Sequence, residues 1–106
     1  MLSNMKIVRL CEDFKAPLIA LVEDPDTATV KLLFVMTEER ADDVLPRILA
    51  VQEVLERERP AGVQFKFIHR FATVEQIEAC AAVDRLAGCE EALLQVFGLQ
   101  VLEDWQ

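Results

Sequence analysis

The residues from Thr29 to Met36 constrain the fold more than any other part of the sequence, because both alternating sets of side chains include neighbouring apolar residues. A strand that is apolar on both sides usually lies inside a sheet and is covered on both faces. The sequence therefore predicts a central strand here, with one apolar set larger than the other. The larger set is Val30, Leu32, Phe34 and Met36, and the smaller set is Leu33 and Val35.

The next segment, residues 41–58, carries the periodicity of an amphipathic helix. Asp42 and Asp43 stand at its start, where carboxylates favour the positive end of the helix dipole. Pro46 is tolerated in the first turn of a helix, which predicts a start near Asp42. The apolar stripe expected to face the sheet recurs every three or four positions. Its members are Val44, Ile48, Val51 and Leu55, with Leu45 and Val54 beside them.

Residues 63–71 alternate between apolar and polar side chains, which predicts a half-buried strand near a sheet edge. One side carries Val63, Phe65, Phe67, His69 and Phe71, and the other carries Gln64, Lys66, Ile68 and Arg70. With strand 29–36 and helix 41–58, this strand completes a β-α-β unit. If both strands share one sheet they are parallel, and the crossover is right-handed.

The N-terminal part predicts a hairpin of residues 17–23 with residues 28–36. Its turn contains Asp24 and Pro25, residue types that favour β-turns for local reasons. The carboxylates in this turn are interpreted as a solvent-exposed turn rather than a metal site. Residues 3–14 fit either a helix or a strand. We favour a helix, because Ile7, Leu10 and Cys11 follow helical spacing.

The C-terminal part predicts helices. Thr73 and Gln76 form a capping box that begins one helix, with Val74, Ile77, Ala81 and Leu86 inward. Residues 90–97 predict another helix, and residues 99–102 predict a short strand or a docking tail. The expected fold class is α+β. It is a single small domain, residues 1–106, in which a β-hairpin and a β-α-β unit form a mixed sheet covered by helices, with a helical C-terminal part.

Composition narrows the possible functions. The net charge of −8 disfavours nucleic acid and anionic membranes as partners. Three glycines are too few for a Gly-rich phosphate loop, and the chain contains none of the common nucleotide-binding, zinc-protease or serine-hydrolase motifs. The three cysteines match no zinc or disulfide pattern. We therefore expect no membrane span, metal or cofactor, and a cytoplasmic location.

Charge is unevenly distributed along the chain. Residues 57–70 hold four basic residues and one acidic residue, a net charge of +3. Residues 12–43 hold nine acidic and three basic residues, a net charge of −6. Since Lys66 and Arg70 alternate with Phe65 and Phe67, the aromatic rings are interpreted as core residues rather than a base-stacking surface.

The β-α-β unit predicts where a ligand site would lie. Ligands bind beyond the carboxyl ends of parallel strands, near helix N-termini. In this hypothesis His69 is an acid/base or ligand-binding group oriented by a carboxylate. The alternative interpretation is that His69 is simply the last inward residue of its strand, beside Phe67. The candidate ligand-binding residues at that edge are Thr37, Glu39, Asp43, His69 and Arg70.

The C-terminal segment carries more apolar side chains than one terminal helix on a small domain needs. Such a surplus is typical of a partner surface, although a tail folded over its own sheet explains it equally well. The candidate interface residues are Leu93, Val96, Phe97, Leu99, Val101 and Trp105. We therefore predict a non-catalytic protein-interaction or assembly domain that forms a homodimer. The alternative is a small-molecule binding protein or weak enzyme whose site lies around His69 and Arg70.

Overall fold

The computed structural model describes residues 3–81 and, of these, the side chains of residues 3–78. Its elements confirm the α+β class. In chain order they are α1 (Asn4–Asp13), β1 (Leu18–Asp24), β2 (Thr29–Met36), a short 3₁₀ turn (Glu38–Arg40), α2 (Ala41–Arg57), β3 (Gln64–Phe71) and α3 (Val74–Ala81). The helix expected at residues 90–97, the segment 99–102 and the side chains of Ala81 and Leu86 lie outside the described residues.

The three strands form one mixed sheet in the order β1-β2-β3. β1 and β2 pair in antiparallel fashion, and β2 and β3 pair in parallel. The hairpin, the β-α-β unit and the central position of the doubly apolar strand are therefore confirmed. β2 is almost completely buried, because it has a neighbouring strand on each side and an apolar cluster on each face.

The pairing of β1 with β2 contains an irregularity that alternation does not reveal. Leu18 pairs with Phe34 and Ala20 pairs with Leu33, so Ile19 is an extra residue on β1. Such a bulge changes which side chains share a face. Because of it, Leu18 and Leu21 both contribute to the same apolar cluster. This explains why the first strand reads as a continuous apolar run.

One face of the sheet, which we call the helix-covered face, packs against α1 and α2. The residues of α2 that are buried there are the stripe that its periodicity predicts, Val44, Ile48, Val51 and Leu55. α1 contributes three buried residues, Ile7, Val8 and Cys11. From β2 the same cluster contains the larger apolar set, Val30, Leu32, Phe34 and Met36. The amphipathic pattern of α2 thus places it on this face.

The opposite face carries a smaller cluster. Its buried members are Ala20, Leu33, Val35 and Ile68. Ile77 of α3 packs against it, as predicted for an inward residue of that helix. Val74, predicted to face inward as well, is instead 56% exposed. Val74 is the first residue of α3 and lies over the ends of the strands, so the inward prediction is wrong for this residue.

Defined caps hold α1 in place and confirm it as a helix. The Ser3 hydroxyl accepts the Lys6 N–H at 3.2 Å, which satisfies one of the free donors of the first turn. At the other end Lys15 has a φ of 56°, a left-handed conformation that favours glycine. There the Lys15 N–H donates to the Glu12 carbonyl and the Ala16 N–H to the Cys11 carbonyl, which is the Schellman pattern.

α2 differs from the prediction at its proline. The helix begins at Ala41, directly after the 3₁₀ turn, so Pro46 is not in the first turn but one turn further along. A proline there removes the N–H that would bond to the Asp42 carbonyl. Pro46 is exposed, and that carbonyl lies near the helix start, where water has access. None of the helices in the described range 3–81 is long and apolar enough to cross a membrane.

Candidate functional site

The parallel strands β2 and β3 end at the same level, as the β-α-β unit predicts. Met36 pairs with Phe71, and the Ala72 N–H donates to the Met36 carbonyl at 2.9 Å. Beyond these ends the chain turns into the 3₁₀ turn before α2 on one side and into α3 on the other. This edge of the sheet therefore lies between the starts of two helical segments.

A cleft of about 470 Å³ lies at this edge. Two of the predicted ligand-binding residues, Thr37 and Glu39, line it. Phe71 and Val74 also line it, and both are more than half exposed. Next to it lies a smaller, mainly apolar cavity of about 240 Å³, which shares Thr37 and Val74 with the cleft. We call the larger cavity the strand-end cleft.

The start of α3 shapes one wall of the strand-end cleft. The Gln76 N–H donates to the Thr73 hydroxyl at 3.2 Å, and the Thr73 N–H donates to the Gln76 side-chain oxygen at 2.9 Å. These reciprocal bonds are the capping box that the sequence predicts. Because both side chains bond to the helix backbone, the start of α3 has a defined position relative to β3.

Asp43, the third predicted residue, is engaged in a different way. Its carboxylate accepts from Arg40 at 2.9 Å and from Arg47 at 3.0 Å. The hydrogen bond from Arg40, together with the charge of Arg47, holds the pKa of Asp43 below its usual value. Asp43 therefore remains ionised at neutral pH with both oxygens in ion pairs, which makes it a poor proton acceptor or ligand.

His69 and Arg70 do not join Thr37 and Glu39. Neither lies among the described residues that line the two cavities. His69 pairs with Phe34 in the sheet and is exposed, and alternation places it on the same face of β3 as Phe67. Its position on the outermost strand, rather than between two strands, leaves the imidazole in solvent. Arg70 is half-buried, and its guanidinium donates to the His69 carbonyl at 2.8 Å.

β3 lies at an edge of the described sheet, as its alternation predicts, but the backbone groups along that edge were not among the predicted site residues. The N–H groups of Gln64 and Ala72 donate towards the β2 side, to Ala28 and Met36. Since backbone groups alternate along a strand, the odd-numbered residues of β3 direct theirs away from β2. We call this row of outward backbone groups the β3 edge. It comprises Phe65, Phe67, His69 and Phe71.

Two arginines cap carbonyls on the outer side of β3, one just before the strand and one within it. Arg59 donates to the Val63 carbonyl at 3.3 Å, and Arg70 donates to the His69 carbonyl. Between them, the N–H and C=O groups of Phe65 and Phe67 have no hydrogen-bond partner among residues 3–81. Alternation predicts that this strand is near an edge, and the pairing with β2 shows which of its backbone groups point outward.

The rings of Phe65 and Phe67 stack on the helix-covered face, with their centroids 5.8 Å apart. Both are half-buried and pack against the main cluster, which agrees with the interpretation of these rings as core residues. Because β3 is the outermost of the three described strands, no described strand lies on the outer side of the rings. A partly exposed aromatic pair therefore accompanies the β3 edge.

Some of the remaining candidate residues lie within the described range, and others lie outside it. At the hairpin turn the Asp26 N–H donates to the Asp24 carboxylate at 3.1 Å, a local bond typical of an exposed turn. Among the described residues, no three His, Cys, Asp or Glu side chains are grouped as a metal site would need. Cys11 is buried, with Ile7 on the same side of α1. The predicted interface residues, Leu93 to Trp105, lie outside the described residues.

Comparisons with protein-family models, with curated proteins and with solved structures found no match to this chain.

Proposed function

We propose that this protein is a non-catalytic protein-interaction domain that binds a partner by adding a strand to its sheet at the β3 edge. The observation that carries this proposal is the row of outward backbone groups at Phe65 and Phe67, which have no partner within residues 3–81. An extended peptide that pairs with such an edge gains main-chain hydrogen bonds, and neighbouring side chains give specificity.

The form of β3 supports this mode of binding. β3 is eight residues long, and its pairing with β2 has no shift in register. A long, regular edge is a template for pairing, which proteins usually prevent with bulges, prolines or short strands. β3 contains neither proline nor glycine. The two guanidinium caps cover single carbonyls, and the outward groups of Phe65 and Phe67 between them have no hydrogen-bond partner within residues 3–81.

The placement of the polar residues supports a non-catalytic role. His69 is separated from the cleft that Thr37 and Glu39 line, and the oxygens of Asp43 are occupied by arginines. A general acid or base must be within hydrogen-bond reach of the reacting group. The described candidate residues are therefore not arranged as one acid/base site.

The test is a titration of the isotope-labelled protein with three eight-residue peptides in which valine alternates with glutamate, lysine or threonine. We expect at least one peptide to shift the amide resonances of Phe65, Phe67, His69 and Phe71 more than those of β1. If none of the three produces such shifts at millimolar concentration, the proposal is wrong.

Homodimer formation, which the sequence predicts, remains part of the proposed assembly function. It does not depend on the β3 edge, because the predicted interface residues belong to the C-terminal segment. Light scattering at high protein concentration measures it directly, and a strictly monomeric mass would remove the homodimer from the proposal.

A second candidate function is small-molecule binding in the strand-end cleft. The cleft volume of about 470 Å³ lies within the range of ligand pockets and favours this candidate. Glu38 and Glu39 line the cleft, so a cationic ligand fits its charge. In a thermal-shift screen, a cationic ligand should stabilise the wild type but not Glu39→Gln, whereas Glu53→Gln on the exposed side of α2 serves as control.

A further inference from the structure

The chemistry of the β3 edge identifies the kind of strand that it would accept. We propose that the occupant is an extended segment of a separate protein in which apolar and acidic residues alternate. This inference rests on the proposed function and specifies the partner. It follows from which side chains of β3 lie on each face of the sheet.

An added strand would have its side chains alternate between the two faces, directly beside those of β3. On the helix-covered face its neighbours are Phe65 and Phe67, whose rings are half-buried. On the other face its neighbours are Lys66, Ile68 and Arg70. On the helix-covered face, the side chains of the occupant therefore lie beside aromatic rings. On the other face, its side chains lie beside Lys66 and Arg70, which are both cations.

The cations lie along the same strand edge. Arg59 and Arg70 each place a guanidinium on an outward carbonyl of this edge region, and Lys66 lies between these caps. Lys66 and Arg70 already take part in interactions within the chain, and their positions and positive charges determine the charge of this face. Opposite charges on neighbouring strands stabilise pairing, and like charges oppose it. Carboxylates are thus favoured on that face of the occupant.

The described edge strands of a second copy of this chain would pair with the β3 edge less well than an acidic segment would. Antiparallel pairing of β3 with β3 of another copy would bring together two sets of Arg59, Lys66 and Arg70. The other described edge, β1, carries Glu23 and Asp24, but its register is interrupted at Ile19. A bulged strand pairs poorly with a regular one. The charge and the register therefore favour a different polypeptide as the occupant.

The test ranks the three alternating peptides by their dissociation constants. We expect the valine–glutamate peptide to bind at least about tenfold more tightly than the valine–lysine peptide, with the threonine peptide between them. Lys66→Glu should reduce this preference at least about fivefold. Lys6→Glu on α1, which changes the net charge equally, should leave the preference unchanged.

Two further measurements establish the binding mode. The outward N–H of His69 is absent in His69→Pro, whereas His69→Ala retains it, so the proline variant alone should lose the peptide. A valine–glutamate peptide that is N-methylated at alternate residues also loses donors for pairing, and it should not bind even if His69→Pro fails to fold.

The outcomes separate this inference from the proposed function. If the threonine or lysine peptide binds most tightly at the β3 edge, the acidic occupant is wrong and the interaction domain stands. If none binds, both fail. If wild-type protein self-associates and His69→Pro abolishes this while His69→Ala does not, the occupant is a second copy and the separate partner is wrong.

Discussion

The two edge strands of the described sheet are protected in different ways. β1 has a bulge at Ile19 and follows Pro17, and most of its side chains are buried or half-buried. β3 is regular, has one buried side chain, Ile68, and has an arginine on the outward His69 carbonyl and another on the Val63 carbonyl just before it. Burial and irregularity protect β1. Among residues 3–81 only charged side chains protect the outer side of β3, and a partner strand of suitable charge can still pair there.

The largest expected effect compares one apolar residue from each edge. Leu21 in β1 is 2% exposed, whereas Phe65 in β3 is half-buried. Leu21→Ala should lower the free energy of unfolding by about 2–5 kcal/mol, because it leaves a cavity in the core. Phe65→Ala should lower it by about 1–2 kcal/mol, since much of the ring already contacts water. Denaturant unfolding measures both, and equal losses would contradict the difference between the edges.

The connection into β1 offers a stabilising change. Lys15→Gly should raise the free energy of unfolding by about 1 kcal/mol, because glycine adopts the left-handed conformation of this position without a steric penalty. Arg9→Gly, at an exposed position inside α1, is the matched control and should lower it by about 1 kcal/mol. The same sign for both variants in denaturant unfolding would show that the backbone of Lys15 is not strained.

The connection out of β3 depends on a side-chain cap instead. Thr73→Ala should lower the free energy of unfolding by about 1 kcal/mol, because the hydroxyl that accepts the Gln76 N–H is lost. Thr73→Ser retains this acceptor and should remain close to the wild type. Thermal unfolding compares the two variants. If the serine variant is as unstable as the alanine variant, loss of the cap does not explain the lower stability.

The smallest effect on stability is expected from the guanidinium on the β3 edge. Arg70→Gln removes the donor to the His69 carbonyl and one positive charge. An exposed bond of this kind contributes about 0.5 kcal/mol or less. We expect little change in unfolding but more self-association than in Arg9→Gln, because the edge loses protection. Sedimentation at several concentrations tests this, and equal behaviour of the two variants would show that Arg70 does not protect the edge.

Much of the fold follows from local patterns. The stripe of α2 predicts its four buried residues, and the double apolar pattern of residues 29–36 predicts the central strand, because burial sets the spacing of apolar side chains. Pro46 and the bulge at Ile19 were not predicted correctly. The position of Pro46 within α2 and the shift of register in β1 both depend on the elements packed around them, which a local sequence pattern does not show.

The candidate site was predictable only in its location. The carboxyl ends of parallel strands meet at one edge, so the sequence indicates where Thr37 and Glu39 would line a cleft. The sequence does not indicate that Asp43 is held by two arginines or that His69 lies in solvent. These facts depend on side-chain positions across elements. The alternation of residues 63–71 predicts a strand near a sheet edge, which the strand order confirms. The backbone groups along that edge were not among the predicted site residues, because a side-chain pattern does not show which backbone groups lack a partner.

The sequence by itself determined the types of the elements from β1 to α3, the strand that lies at the centre and the sign of charge on each segment, since these depend on spacing and composition. Tertiary structure alone decided that α1 is a helix, and that Arg59 and Arg70 lie on the outer side of β3, which has no neighbouring strand within residues 3–81. Strand order depends on which surfaces pack together. Only the fold therefore shows that Arg59 and Arg70 of the basic segment lie along the β3 edge.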